Sequence, residues 1–288
     1  MEYLIHIAII VSLYAAGAMS LNLIVGETGL VSVAHAAFVG IGGYAVALLL
    51  TVAHVPFVVA ILVAVLISGI VAFFIGATFL RLREVYYVLG TVGFNVIVLS
   101  IFLNWSSLTK GPLGIAGIPR PEIFGAQLST NISFLVLALI FVLCVYFCSS
   151  FITRSSLGRA LHAIREDEAV AEVFGYSTVH YKLFVFTTAS MLAGAAGALY
   201  ASYISYISPY GYAVTESIFV LAIIILGGLG SARGAILGAA LLVILPELLR
   251  FVGFPPEIAA QLRLGSYGLV LVLFMLYRPQ GIWGTFKI

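Results

Sequence analysis

Two groups of residues carry polar chemistry in a sequence that otherwise offers little of it. One is the run RSSLGRALHAIREDEAVAEVFGYSTVHYK from Arg154 to Lys182, where Arg159, Arg165, Asp167, Glu168 and Glu172 stand among Ala169, Ala171 and Gly175. The other is scattered through apolar stretches: Asn22, Glu27, Ser32, His35, Thr91, Asn95 and Glu216. Polar groups at membrane depth are costly, so those that persist there mark candidate solute pathways. Glu27 and Glu216 can equally sit near the membrane interfaces, and His35 and Asn95 can equally serve to hydrogen-bond a neighbouring helix. Catalytic patterns are missing. The histidines at 6, 35, 54, 162 and 180 show no metal-ligand spacing, and no Ser or Cys has a base beside it in sequence. Lys110, Lys182 and Lys287 follow Thr109, Tyr181 and Phe286, so the Gly-Lys-Ser/Thr loop of a phosphate site is absent. The chain is therefore expected to be no enzyme and to hold no cofactor or metal of its own, and any ATP energy must come from a partner.

The elements that position these residues follow from composition. Of 288 residues, 63% are hydrophobic and 8% charged, with mean hydropathy +1.21, whereas a soluble domain carries about 25% charged residues. Stretches of roughly 20 apolar residues recur, each long enough to cross a bilayer as a helix. A barrel needs alternating apolar and polar residues, but 57–79 and 134–148 are apolar on every side. The expected fold is all-α: one polytopic transmembrane bundle over 1–288 with about 8–10 spans, some broken or re-entrant. Spans are read near 3–25, 31–52, 56–79, 85–103, 132–153, 183–205, 215–230, 234–251 and 264–278. The second contains Gly40, Gly42 and Gly43 after the polar start Gly26-Glu27-Thr28-Gly29, so it is a candidate for a break. The start Met1-Glu2 lacks the basic flank of a cleavable signal, so the first apolar stretch is expected to be retained. Cys144 and Cys148 are read as space-filling, and the net charge of +2 with no basic run gives no reason to expect nucleic acid.

Basic residues set the expected orientation. Nine spans place Arg81, Arg83, Arg154, Arg159, Arg165, Lys182, Arg233, Arg278 and Lys287 on one side, and only Lys110, Arg120, Arg250 and Arg263 on the other. The richer side is expected to be cytoplasmic, with the N-terminus outside and the C-terminus inside. Gly230, Gly234 and Gly238 repeat at four-residue spacing, as do Ala193 and Gly197, a pattern that lets helices approach closely in lipid. The segments 26–29 and 227–230 look alike, and breaks there would turn helix ends toward a solute.

Within 154–182, Ser156 is read as capping a first short helix bearing Leu157, Leu161 and Ile164. Glu166, Asp167 and Glu168 suit the positive end of a second. Ala169, Val170, Val173 and Phe174 give that second helix an apolar side, and Gly175 ends it. This side either folds back on the bundle or docks into another protein. The segment 104–131, with Pro112, Pro119 and Pro121 among Gly111, Gly114, Gly117 and Gly125, is too irregular for a span. It reads equally as an ordinary ordered loop and as an extracytoplasmic docking surface.

Several ordered motifs carry a resemblance along almost the whole chain. They are LNLIVGETGLVSVAHAAFVGIGGYAVALL (21–49), RLREVYYVLGTVGFNVI (81–97), LTKGPLGIAGIP (108–119), GRALHAIREDEAVAEVFG (158–175), LGGLGSARGAILGAALLVILPELLR (226–250) and YRPQGIWG (277–284). Together they resemble permeases of the branched-chain amino acid-type ABC importers. The resemblance implies a second homologous permease, two cytoplasmic ATP-binding subunits holding ATP and Mg, an extracytoplasmic solute-binding protein, and a plasma (inner) membrane of a prokaryote. It also implies that Glu168, Ala169, Ala171, Glu172 and Gly175 form a coupling helix seated in the ATPase, flanked by Arg159, Arg165 and Asp167. Lys110 departs from the family, which commonly has Gly there. Family members are often longer, so an additional N-terminal helix is an expected difference. Leucine-like amino acids are the family's usual solutes. The rival reading is a secondary transporter or channel for a small neutral solute such as urea or an amide, which usually places ion-coupling carboxylates within its spans.

Overall fold

A computed structural model describes residues 1–123, 126–250, 256–278 and 280–284, without the side chains of 84, 123, 126–127, 248–250, 256–264, 266 and 275. Gly125, Pro279 and Lys287, and the side chains of Arg250 and Arg263, thus lie outside the described set.

The apolar runs form helices, which satisfy every backbone polar group within one segment. In chain order these are α1 (Glu2–Thr28), α2 (His35–Thr51), α3 (Phe57–Phe79), α4 (Glu84–Asn104), the single turn α5 (Ser106–Thr109), α6 (Asn131–Arg154), α7 (Ser156–Glu166), α8 (Glu168–Val173), α9 (Thr178–Ile204), α10 (Val214–Gly227), α11 (Ala232–Arg250) and α12 (Pro256–Tyr277). The helical bundle with broken elements is what the sequence implies. Among the described residues five helices, α1, α3, α4, α6 and α9, are long and apolar enough to cross a membrane. The pair α10–α11, bent by 118°, brings the number to six if it is one span. This is fewer than the 8–10 crossings expected, and the breaks explain much of the difference. With 17 residues, α2 is about 25 Å long and falls short of a bilayer core. The expected crossing at 31–52 is instead a non-helical stretch followed by that shorter helix.

α1 fixes the direction of the bundle. At its start, Glu2 Oε2 accepts from Asn131 Nδ2 (2.7 Å) and His6 Nδ1 lies 2.7 Å from the Tyr203 hydroxyl. At its other end Arg165 of α7 donates to the Gly26 carbonyl. The start of α1 therefore shares one end of the bundle with the start of α6 and the end of α9, opposite α7 and α8.

α2, α3 and α9 enclose one core, where Phe38 packs at a tilt against Phe94 and edge-on against Phe186. α1, α10 and α11 enclose a second, with Met19, Leu21, Ile223 and Ile224 buried. Glycines set both. A Cβ on Gly42 would run into the Gly194 backbone, and one on Gly197 into the Val39 backbone, so α2 and α9 touch main chain to main chain. Gly234 and Gly238 hold α11 equally close to Gly227 of α10. In lipid such approach gains dispersion contact where no hydrophobic drive exists.

Two breaks interrupt this packing. Gly29, at φ 74, ends α1, and the chain stays non-helical until α2 begins at His35. The second break turns α10 into α11 through Gly228 and Gly230, both at positive φ. The likeness of 26–29 and 227–230 has a spatial counterpart, because a Cβ on Gly26 would come within 2.7 Å of Gly230 N. The final motif closes the second break: Ile282 N and Trp283 N each donate at 2.9 Å to the last carbonyls of α10, on Leu226 and Gly227. Those carbonyls have no partner within the helix.

The irregular segment 104–131 contains three short strands among its described residues, β1 (Ile115–Ala116), β2 (Glu122–Ile123) and β3 (Ala126–Gln127). β2 pairs with β3, and β1 pairs antiparallel with β4 (Tyr206–Ile207), Ile115 opposite Ile207. Lys110 sits at φ 63, a backbone region that glycine enters without strain.

Candidate functional site

The non-helical stretch 29–34 exposes backbone groups inside the bundle, and each must find a partner. Val33 N donates to Thr91 Oγ1 (3.2 Å), and Asn95 Nδ2 donates to Val33 O (3.1 Å) and to Ser217 Oγ (2.9 Å). Ser217 Oγ also accepts from Ala36 N (2.9 Å), and Ser32 Oγ and Thr28 Oγ1 accept from Ala34 N and Leu30 N. Ser32, Thr91 and Asn95 are fully buried and occupied in this work. They hold the break together and line neither the apolar cavity nor the polar cleft described below.

His35 and Glu216 do face a cavity. It has a volume of about 300 Å³ and lies between α1, α2, α9 and the start of α10, at the lower end of the range for small-molecule sites. Leu13, Val39, Ile204, Ile207 and Val220 give it apolar walls, and Tyr14, Tyr200, Tyr206 and Tyr212 line it as well. Tyr14 donates to Glu216 Oε1 at 2.6 Å. Sequence reasoning passed over these tyrosines, although the run YASYISYISPYGY at 200–212 is an aromatic signal in plain view.

Asn22 and Glu27 belong to a separate, polar cleft at the α7–α8 end, together with Ser149, Thr153, Arg154 and Arg233. Asn22 Oδ1 accepts from Gly230 N (3.1 Å), which ties α1 to the second break. Glu27 accepts from Thr153 Oγ1 (3.2 Å) and pairs with His162 Nε2 (2.7 Å). One turn on, Arg165 reaches the Gly26 carbonyl and covers Gly29. Burial lowers the Arg165 guanidinium from its usual range, and the Glu27 carboxylate opposes that. His162 was missed in the sequence, though it lies three residues before Arg165 on the same face of α7. A buried acid in α1 needs such a hydrogen-bond partner opposite it.

α7 is capped by Ser155, whose Oγ accepts from Leu157 N and Gly158 N, and not by Ser156 as expected. Ser156 is already helical, so its own backbone cannot hold the extended cap conformation. Asp167 caps α8 through Val170 N (3.0 Å), Glu168 pairs with Lys182, and Glu172 accepts from Thr178 Oγ1 (2.9 Å). Ala171 is buried against the bundle, Gly175 ends the segment at φ 88, and Arg159 and Ala169 are exposed. The apolar side of α8 does not fold back: Val173 is 88% and Phe174 78% exposed.

A helical bundle with two interlocked breaks and a short exposed apolar helix at one end has clear relatives. Residues 3–277 match the family model described as branched-chain amino acid transport system / permease component. The chain belongs to this family. It is 36% identical to the high-affinity branched-chain amino acid transport system permease protein LivM of Salmonella typhimurium and 35% identical to that of Escherichia coli. Each alignment covers 96% of this chain and 69% of the relative. The LivH permease of Escherichia coli is 30% identical over 66% of this chain and 62% of its own length. No solved structure matches the chain. As a branched-chain-type permease it is a multi-pass membrane protein and a non-catalytic transport component. The sequence-picked polar residues divide on this scaffold into cavity residues (His35, Glu216), cleft residues (Asn22, Glu27) and braces of the first break (Ser32, Thr91, Asn95).

Proposed function

We propose that this permease carries leucine-like branched-chain amino acids, the solutes named for LivM, through a path that includes the cavity at His35 and Glu216. The α7–α8 segment within 154–182 is the coupling loop on the cytoplasmic side of a prokaryotic inner membrane. Two ATP-binding subunits dock there and hold the ATP and Mg. The observation that carries this reading is the pair Val173 and Phe174, exposed on a helix braced from behind by Glu168–Lys182 and Glu172–Thr178. A rigid helix with an unpartnered apolar side suits transmission of a push better than a solvated connection does. From α8 the route to the membrane runs through His162 and Arg165 into Glu27 and Gly26, at the first break.

Arg81 and Arg83 follow α3, whose last turns pack on the start of α9, and Arg233 begins α11 beside Tyr146, so both groups gather at the α7–α8 end. Lys110 and Arg120 lie at the other end, with the start of α1. This asymmetry supports the N-terminus outside and 104–131 as the extracytoplasmic face for a solute-binding protein. Similarity to both LivM and LivH supports a heterodimer with a second homologous permease.

The test is reconstitution. Co-purified with a LivH-type permease and the two ATPases, the chain should give ATP-dependent accumulation of labelled leucine in proteoliposomes supplied with the binding protein. The chain alone should accumulate none. Proton- or sodium-driven uptake by the chain alone would favour the secondary-transporter reading.

A further inference from the structure

We infer that the cavity between α1, α2, α9 and α10 recognises an ammonium group, with Glu216 and His35 Nδ1 as its two acceptors. The inference rests on the proposed path through this cavity and adds which end of the solute is read, and by which atoms.

The argument starts from the tautomer of His35. The ring is 1% exposed, and Nε2 lies 3.2 Å from Ser20 Oγ. Ser20 spends its single hydroxyl proton on the Gly17 carbonyl at 2.7 Å, so toward His35 its oxygen can only accept. The proton on the ring therefore belongs to Nε2, and Nδ1 of the neutral ring is a lone-pair acceptor. That atom is buried and has no partner among the described residues, and His35 lines the cavity. A buried acceptor without a donor costs on the order of 1–3 kcal/mol, which a bound donor would recover.

Glu216 supplies the second acceptor. Its carboxylate offers about four lone-pair sites, and Tyr14 donates to one oxygen at 2.6 Å. The two acceptors are held together by the contact next to each in sequence: Ala36 N donates to Ser217 Oγ at 2.9 Å, docking the first turn of α2 onto the first turn of α10. No Lys or Arg lines the cavity among the described residues. Acceptors of one kind, one of them anionic, select a cation with several N–H donors, and a primary ammonium has three. The walls of Leu13, Val39, Ile204, Ile207 and Val220 then suit the branched apolar part of the same solute.

The assay is competition against labelled leucine bound to the purified complex without its binding protein, which would otherwise impose its own selectivity. 3-Methylbutylamine, which keeps the ammonium and loses the carboxylate, should compete within about tenfold of leucine. 4-Methylpentanoate, which keeps the carboxylate and loses the ammonium, should not compete at about a hundredfold excess. The reverse order overturns the inference. In uptake assays, Glu216→Gln should raise the KM for leucine by about tenfold or more, with partners still co-purifying, and Glu216→Asp should recover much of the loss. A KM for Glu216→Gln within twofold of the parent also overturns it. If Glu216→Gln fails to assemble, the two analogues on the unaltered complex still decide. Absence of leucine uptake by the unaltered complex is a separate result: it removes the proposed path, and the ammonium site falls with it.

Discussion

His162 Nε2 stands 2.7 Å from the Glu27 carboxylate and so joins the first short helix beyond α6 to the last turn of α1. Glu27 is 3% exposed in its side chain and His162 38%, so the pair straddles the boundary between bundle and solvent. Beside it, Arg165 holds the Gly26 carbonyl, and four residues back along α1, Asn22 holds Gly230. Movement of α7 therefore reaches both breaks through directly bonded groups.

Removing the imidazole leaves a nearly buried carboxylate with less compensation. We expect His162→Ala to lower complex stability by roughly 1–3 kcal/mol, the buried-pair cost discounted for the exposed partner. Glu27→Gln, which removes the charge itself, should cost less. Thermal melting of the complex measures both. ATP-driven uptake should fall more than ATPase activity in His162→Ala; equal rates of both at parental values would remove the His162–Glu27 pair from the mechanism.

Asn95 serves two partners across the first break. Replacing it with Leu strands the Val33 carbonyl and removes a donor to Ser217, at a cost of about 2–4 kcal/mol. Thr91→Val removes the acceptor for Val33 N and a donor to the Val88 carbonyl of its own helix, and should cost about half as much because no carbonyl across the break is stranded. The order of melting temperatures, parent above Thr91→Val above Asn95→Leu, is the expected result.

Glycine substitutions separate close approach from mere flexibility. Gly197→Ala sets a methyl into the Val39 backbone and should prevent α2 from docking on α9, with loss of folded protein in membranes. Gly93→Ala meets nothing within 4 Å in the middle of α4 and should be neutral or stabilising by up to ~1 kcal/mol. Size-exclusion profiles after detergent extraction distinguish the two.

Val173→Ser combined with Phe174→Ser changes side chains that are almost wholly solvent-exposed in the isolated chain. The double variant should insert and melt like the parent, yet lose co-purification of the ATP-binding subunits and with it uptake. Full retention of those subunits would mean that they dock elsewhere.

The long spans were legible because a run of apolar residues forces a helix whatever its neighbours are. Asp167 as a helix start and Gly175 as a stop were equally legible, since capping is decided within a few residues. The cap at Ser155 in place of Ser156 shows the limit: two adjacent serines have the same chemistry, and only the entry angle of the chain from α6 chooses between them.

The breaks lie between these cases. Gly26–Gly29 and Gly227–Gly230 announced themselves as irregular and similar, but that they pack against each other is a property of α1 crossing α11. The polar residues show the same division. The sequence by itself determined that Ser32, His35, Thr91, Asn95 and Glu216 sit in apolar surroundings and must be bonded or functional. Only the tertiary structure decided which was which, because a hydrogen bond depends on a partner far along the chain: Asn95 spends its amide on Val33 and Ser217 and braces the first break, whereas His35 lines a cavity with one ring nitrogen unpartnered among the described residues.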